Sequence, residues 1–391
     1  MPKHTPSIFN ISLLGRGFRP FFILAALQSV FMLVLWAAQN AGYMPSAYLI
    51  LNATSWHSHE MIYGFSIAVI AGFLLTAIAN WTNTPPIQRA HLAGLCALWI
   101  AGRIVMNFDL GLSSALIFII SLSFIPIFAL SLARPLFATH NKRNFIFLGL
   151  LGVLWSAQIC ILVFDIYEAN YVALMMIIIM CSLIGGRIIP LFTVNALRQK
   201  GLDLHPKPQM KRDMLALVSI ILTTICLVVF PQSILLAFFA FTSALIHIIR
   251  MKNYHSLKTL SEPMLWILHI GYVWIIIGLI LLGLSALNFA NLSIAIHAFS
   301  AGAIGSLTLG MMVRVSLGHT GRKLHATKFT SASFVLMQIA IIFRVFGAWI
   351  MPDYTAAWIG LSAILWALCF VIFLYVYAPM LFAARPDGKT P

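Results

Sequence analysis

Twelve apolar stretches dominate the chain, each long enough to cross a bilayer and joined to the next by a short link. A spanning helix needs about 20 mostly apolar residues. The stretches lie at about 18–40, 57–80, 88–108, 110–131, 144–164, 168–192, 213–230, 232–250, 262–286, 290–314, 328–350 and 354–383. In lipid, each must satisfy its own backbone hydrogen bonds, which leaves helices as the solution for runs of this length. The expected fold class is all-α: a polytopic transmembrane helical bundle with one domain over residues 1–391. Composition agrees, since only 8% of residues are charged, against about 25% in soluble domains. Residues 1–17 lack an apolar core, so no cleavable signal is expected.

The charges alternate with the links. The N-terminal segment holds Lys3, Arg16 and Arg19, and the next link is uncharged. Positive links then carry Arg89, then Arg134, Lys142 and Arg143, then Arg198, Lys200, Lys207, Lys211 and Arg212. Later ones carry Arg250, Lys252 and Lys258, then Arg314, Arg322, Lys323 and Lys328, and the tail has Arg385 and Lys389. The links between them are neutral or hold only acids: Asp109, Asp165 with Glu168, and Asp353. The positive-inside rule puts both termini in the cytoplasm and requires an even helix count. It also accounts for the formal charge of +15 without nucleic-acid binding. The five cysteines all fall in apolar runs without a CxxC spacing and read as small buried hydrophobes. Pro126, Gly185, Gly186 and Pro190 predict local irregularity inside spans. No internal repeat of the kind common in transporters is evident.

Polar residues inside spans are the candidates for function. The stretch Trp56–Trp81 opens with His57, His59 and Glu60. At helical spacing His57 stacks over Met61, with Gly64, Ala68 and Gly72 one turn further on, while His59 points nearly the opposite way. The small-residue stripe admits either another backbone or a flat ligand. His297 opens a second such stretch, with Ala301 and Gly305 on its own face and Met311, Met312 and Arg314 at its inner end. His57, His59 and His297 can meet in the outer half. His269 and His319 lie toward the cytoplasm and are candidates for an inner site. His4, His140, His205 and His255 read as solvated loop residues. Imidazole suits iron and copper, and thioether suits Cu(I). Arg103, Arg187 and Arg344 fall within spans. Such arginines need a partner or an aqueous cavity, and Glu60 is the one acid at comparable depth.

The runs RGFRPFF (16–22), WHSHEMIYGFSIAVIAGFLLTAIANWT (56–82), GGRIIPLFTVN (185–195) and HAFSAGAIGSLTLGMMVRVSLGHTGR (297–322) resemble the NnrS family over essentially the whole chain. The resemblance implies a bacterial inner-membrane protein with twelve helices, bound haem and copper, and a part in nitric oxide metabolism and nitrosative stress. The haem so implied is expected to be b-type. With it, His57, His59 and His297 become the principal ligands expected, and His269 and His319 those of a second site. Gly64, Gly72 and Gly305 would make room for porphyrin. Arg103 or Arg344 would hold propionates near the outer face, and Arg187 and Arg314 near the inner one.

Three functions are consistent with this. One is binding or turnover of nitric oxide or a related product at a histidine-held metal, with electrons for turnover from a quinol or a redox partner. A second is secondary transport of a metal, haem or a small nitrogen compound. The third is an assembly factor whose histidines carry metal transiently.

Overall fold

The computed structural model describes residues 11–43, 50–202, 204–205 and 209–388. Lys3, His4, Lys207 and Lys389 lie outside them. Among the described residues there is no strand, and twelve helices are long and apolar enough to cross a membrane. In chain order they are α1 (Phe18–Asn40), α2 (Ala53–Thr82), α3 (Arg89–Asn107), α4 (Ser114–Ala138), α5 (Lys142–Phe164) and α6 (Ala169–Gln199). The second half comprises α7 (Met210–Val229), α8 (Ile234–Met251), α9 (Pro263–Ala286), α10 (Leu292–His319), α11 (Lys328–Ile350) and α12 (Pro352–Phe382).

An even number of crossings returns the chain to the side on which it started. That side is called here the terminal end, and the other the far end. The two chain ends are bonded together there. Arg19, fully buried at the start of α1, donates from Nη1 to the carbonyls of Leu381 (2.8 Å) and Ala383 (2.7 Å) at the C-terminal end of α12. These are the orphan carbonyls at a helix C-terminus, which favour a cation. Arg385 donates to the His319 carbonyl at 2.9 Å and pairs with Asp387, tying the tail to the end of α10. Burial, and after it the Arg385 charge, push the neighbouring Arg16 guanidinium below its usual value. Arg19, one of the N-terminal positive charges, is therefore a structural clasp.

Burial separates the helices into two sets. The spanning windows of α2, α9, α10 and α6 are 78, 72, 67 and 61% buried, against 39–44% for the other eight. The four form the centre of the bundle, and their sequences are apolar all round because protein covers them on most sides.

Two of the central helices share a design. α2 starts from an Asn52 cap whose side chain accepts from the Ser55 N–H, and α10 from an Asn291 cap that accepts from Ser293. A histidine follows within two turns in each, and each then widens into a π-helical segment: Glu60–Ser66 in α2 and Ala298–Gly305 in α10. α11 has a third, Phe343–Gly347. α4 and α6 run through Pro126 and Pro190 as single helices. The helical ladder is broken instead by π segments, which are frequent at functional sites.

Candidate functional site

All three π segments line one cavity of about 80 Å³ toward the far end. α2 contributes His57, Met61, Phe65 and Ser66, α10 contributes His297, Ser300, Ala301 and Ile304, and α11 contributes Arg344. Five of these residues, His57, Met61, His297, Ser300 and Arg344, also line a vestibule of about 380 Å³ that reaches Thr54, Tyr167 and Asn291 at the far end. The vestibule is on the scale of sites for small organic ligands.

The two histidines are held differently. The His57 ring stacks on Trp36, with centroids 4.4 Å apart and planes at 17°. Its Nδ1 is buried with no hydrogen-bond partner among the described residues. His297 Nδ1 is 2.7 Å from the Ser293 carbonyl, so it carries the proton and donates it there. Its Nε2 is then an acceptor, and takes a 2.7 Å bond from Arg344 Nη2. An N–H fixed on a backbone carbonyl is common in metal-ligating histidines, and here Arg344 holds the other nitrogen, which a metal would have to take over. The Met61 thioether is on the same wall as His57. Two imidazoles and a thioether form a donor set suited to copper, and imidazole alone suits haem iron. In donor chemistry these residues suit the metals that the sequence resemblance implies. No cluster of three His, Cys, Asp or Glu suited to a metal occurs among the described residues.

His59 does point away from His57, and its partners are protein. Its Nδ1 donates to Glu60 Oε1 at 3.0 Å, and its Nε2 accepts from Gln158 at 3.2 Å. Glu60, fully buried, is the hub. Besides His59 it accepts from Arg103 (2.5 Å), Gln28 (2.7 Å) and Asn107 (2.9 Å). Arg103 therefore has its counter-ion in Glu60, and neither it nor His59 lines the His57–His297 cavity.

A family model described as NnrS protein matches residues 12–385. The chain belongs to the NnrS family. Membership suggests a role in the response to nitric oxide. No match is found among curated proteins.

The remaining candidates of this NnrS chain are dispersed. Arg187 donates to Asn144 at 3.0 Å, while Arg314 lies over the Phe192 ring at 4.0 Å, lining a different cavity at the terminal end. His319 lines that cavity too. His269 does not, and both its nitrogens are engaged by hydroxyls, Thr193 at 2.8 Å and Ser256 at 2.9 Å. The small-residue stripe of α2 meets α1. A Cβ on Gly64 would come within 2.7 Å of Gln28 Nε2, and one on Gly72 within 2.9 Å of the Phe22 ring. The cause is the π segment, which shifts the phase of everything beyond Met61. His57 and Met61 keep the cavity, while Gly64 and Gly72 turn to a neighbouring helix.

Gly305 is closed over in a similar way, by the Trp366 indole, which lines the cavity and donates to Ser29 Oγ at 2.7 Å. A methyl group at 305 would fall on that ring. Gly305→Ala is therefore expected to lower stability by about 1–3 kcal/mol, the usual range for overpacking. The measurement is thermal unfolding of the purified protein, and an unchanged midpoint would show that the indole can retreat.

Sequence reasoning missed Arg250. It was assigned to a loop, yet it is 1% exposed, bonded to Asp213 (2.8 Å), Ser182 and the Tyr272 hydroxyl (2.7 Å), with its guanidinium laid on the backbone of Gly186. No local signal reveals this, because its partners come from three other helices.

Proposed function

We propose that this protein is a metalloprotein of the bacterial inner membrane that binds or turns over nitric oxide, or a related product, at a metal held by His57 and His297, and so relieves nitrosative stress. The observation that carries this is the convergence of both histidines, Arg344 and three π segments on one far-end cavity. The terminal end bears Arg16, Arg89, Lys142, Arg143, Arg198, Lys200, Lys252, Lys258, Arg322 and Lys323, while the far-end links bear Asp109, Asp165, Glu168 and Asp353. The positive-inside rule then puts the termini in the cytoplasm and opens the vestibule to the opposite side.

Bound haem iron or copper would supply an open coordination position for a diatomic. The protein's own groups do the rest. Trp36 fixes the plane of the His57 ring, and the Ser293 carbonyl fixes the tautomer of His297. Arg344, whose recorded hydrogen bond is to His297, is placed to meet an anionic substituent or a charged product. Phe65, Ile304 and Trp366 present apolar surface to the cavity and disfavour water there. Turnover, as opposed to binding, would need electrons from a quinol or a protein partner.

The test is an optical spectrum of detergent-purified protein, oxidised and reduced, then with nitric oxide, alongside metal analysis. A retained chromophore that shifts with nitric oxide is the expected result. Protein without metal, from cells supplied with haem and copper, would overturn the reading. A band indifferent to nitric oxide would mean a six-coordinate haem of electron-transfer type.

One observation favours the second reading, secondary transport of a metal, haem or small nitrogen compound. The far-end cavity shares Ser66 and Ile304 with an apolar cavity of about 80 Å³, which shares Met311 with the terminal-end cavity. Together they trace a line through the bundle. Substrate flux into proteoliposomes, without tightly held metal, would favour transport.

A further inference from the structure

The terminal-end cavity has a charge that the protein leaves unanswered. It measures about 480 Å³ and is walled by α6, α9 and the last turns of α10. Arg314 enters it from α10, half-buried, with one face of its guanidinium on Phe192, 4.0 Å from the ring centroid. Among the described residues it has no hydrogen bond and no carboxylate partner, and its nitrogens are not sealed from the cavity. Other arginines drawn into the bundle are all answered: Arg19 by carbonyls, Arg103 by Glu60, Arg187 by Asn144 and Arg250 by Asp213. Glu262 also lines this cavity, but it is taken by Lys200 at 2.7 Å.

A desolvated cation is costly unless paired. Stacking on an aromatic face orients the guanidinium and leaves its N–H edge free for a planar, bidentate acceptor. Asn195 and Gln199 add amides on the same α6 wall. Met264, Leu265, Met311 and Val315 supply apolar lining, and His319 and the paired Lys200 complete the wall. We propose that this cavity is a second binding site, for an organic oxyanion: a carboxylate or phosphate headgroup with an apolar body, held by Arg314. The source is either an acidic phospholipid of the adjoining leaflet or a soluble organic acid. This inference is independent of the metal site.

The test uses full-length protein in detergent, with native mass spectrometry and thermal unfolding. The probes are dioleoylphosphatidylglycerol, octanoate and inorganic phosphate. Wild type is expected to bind one of the first two with a rise in midpoint, and phosphate far more weakly. Arg314→Gln should weaken that binding by about tenfold or more, with Arg314→Lys intermediate. Arg212→Gln, at the same end of the bundle, should bind like wild type. Without any probe, Arg314→Gln should unfold at or above the wild-type midpoint, since it removes an unpaired charge. Binding of the phospholipid alone identifies a lipid site, and binding of octanoate identifies a site for soluble acids. The proposal is overturned if neither binds, if Arg314→Gln binds them like wild type, if phosphate binds as well as either, or if Arg314→Gln lowers the midpoint without probe.

Discussion

Glu60→Gln is expected to destabilise the folded bundle by about 3–5 kcal/mol, the usual cost of removing one partner from a buried ion pair. Glu60 is fully buried and accepts from four donors on α1, α2 and α3: Gln28, His59, Arg103 and Asn107. A glutamine of the same shape keeps one acceptor oxygen and turns an amide N–H toward groups that are themselves donors. The Arg103 charge is then left without a counter-ion, and its Nε has no partner to begin with. Ordinary polar contacts between membrane helices are worth only about 0.6 kcal/mol on average, so the uncompensated charge decides the size of the effect. The double variant Glu60→Gln/Arg103→Gln should recover much of the loss, because it removes the stranded charge together with the carboxylate. Unfolding midpoints of the four proteins form a double-mutant cycle. A single Glu60→Gln variant as stable as wild type would mean that water reaches Arg103 and that the network is peripheral.

This network also shows where sequence reasoning stops. The twelve spans were legible because each carries a sustained apolar run and because the link charges alternate strictly, two signals that must agree. Ends were less so. The fourth span, expected at 110–131, is Ser114–Ala138, and the sixth, expected at 168–192, continues to Gln199. That His57 and His297 can meet was legible from topology, since both lie near the starts of helices that begin at the same end. The fate of His59 was not. Its occupation by Glu60 and Gln158 depends on a residue 99 positions away. Arg19 reads from sequence only as one of the N-terminal positive charges, because its partners, Leu381 and Ala383, are 362 and 364 positions away. The π segments have no compositional signature, so extrapolating the helix from His57 carried the glycine stripe to the wrong face. Met61 gained its place as a candidate ligand only when the cavity closed around it.

If His57 and His297 hold a metal as proposed, His57→Ala and His297→Ala should each strip the far-end cavity of it. Retention by the purified protein should fall by well over the 10–100-fold typical of losing an outer-shell partner, because each removes a direct donor. The two variants should nevertheless differ in their metal-free stability. His57 makes no hydrogen bond through Nδ1, so its loss removes chiefly the stacking on Trp36, about 0.5–1.5 kcal/mol. His297 is the acceptor for Arg344, and its removal leaves that guanidinium without its hydrogen bond inside the bundle. The His297 variant should therefore be the less stable of the two, and Arg344→Gln in the same background should offset part of the difference. Arg344→Gln alone is expected to keep the metal, since it frees His297 Nε2 rather than removing a donor. Metal content, the absorption spectrum and the unfolding midpoint, read on the same preparations, separate ligation from folding. A histidine whose removal leaves both metal content and spectrum unchanged is not a ligand. If that holds for both, the cavity is not the metal site, and the track of cavities through the bundle becomes the better guide to what this protein does.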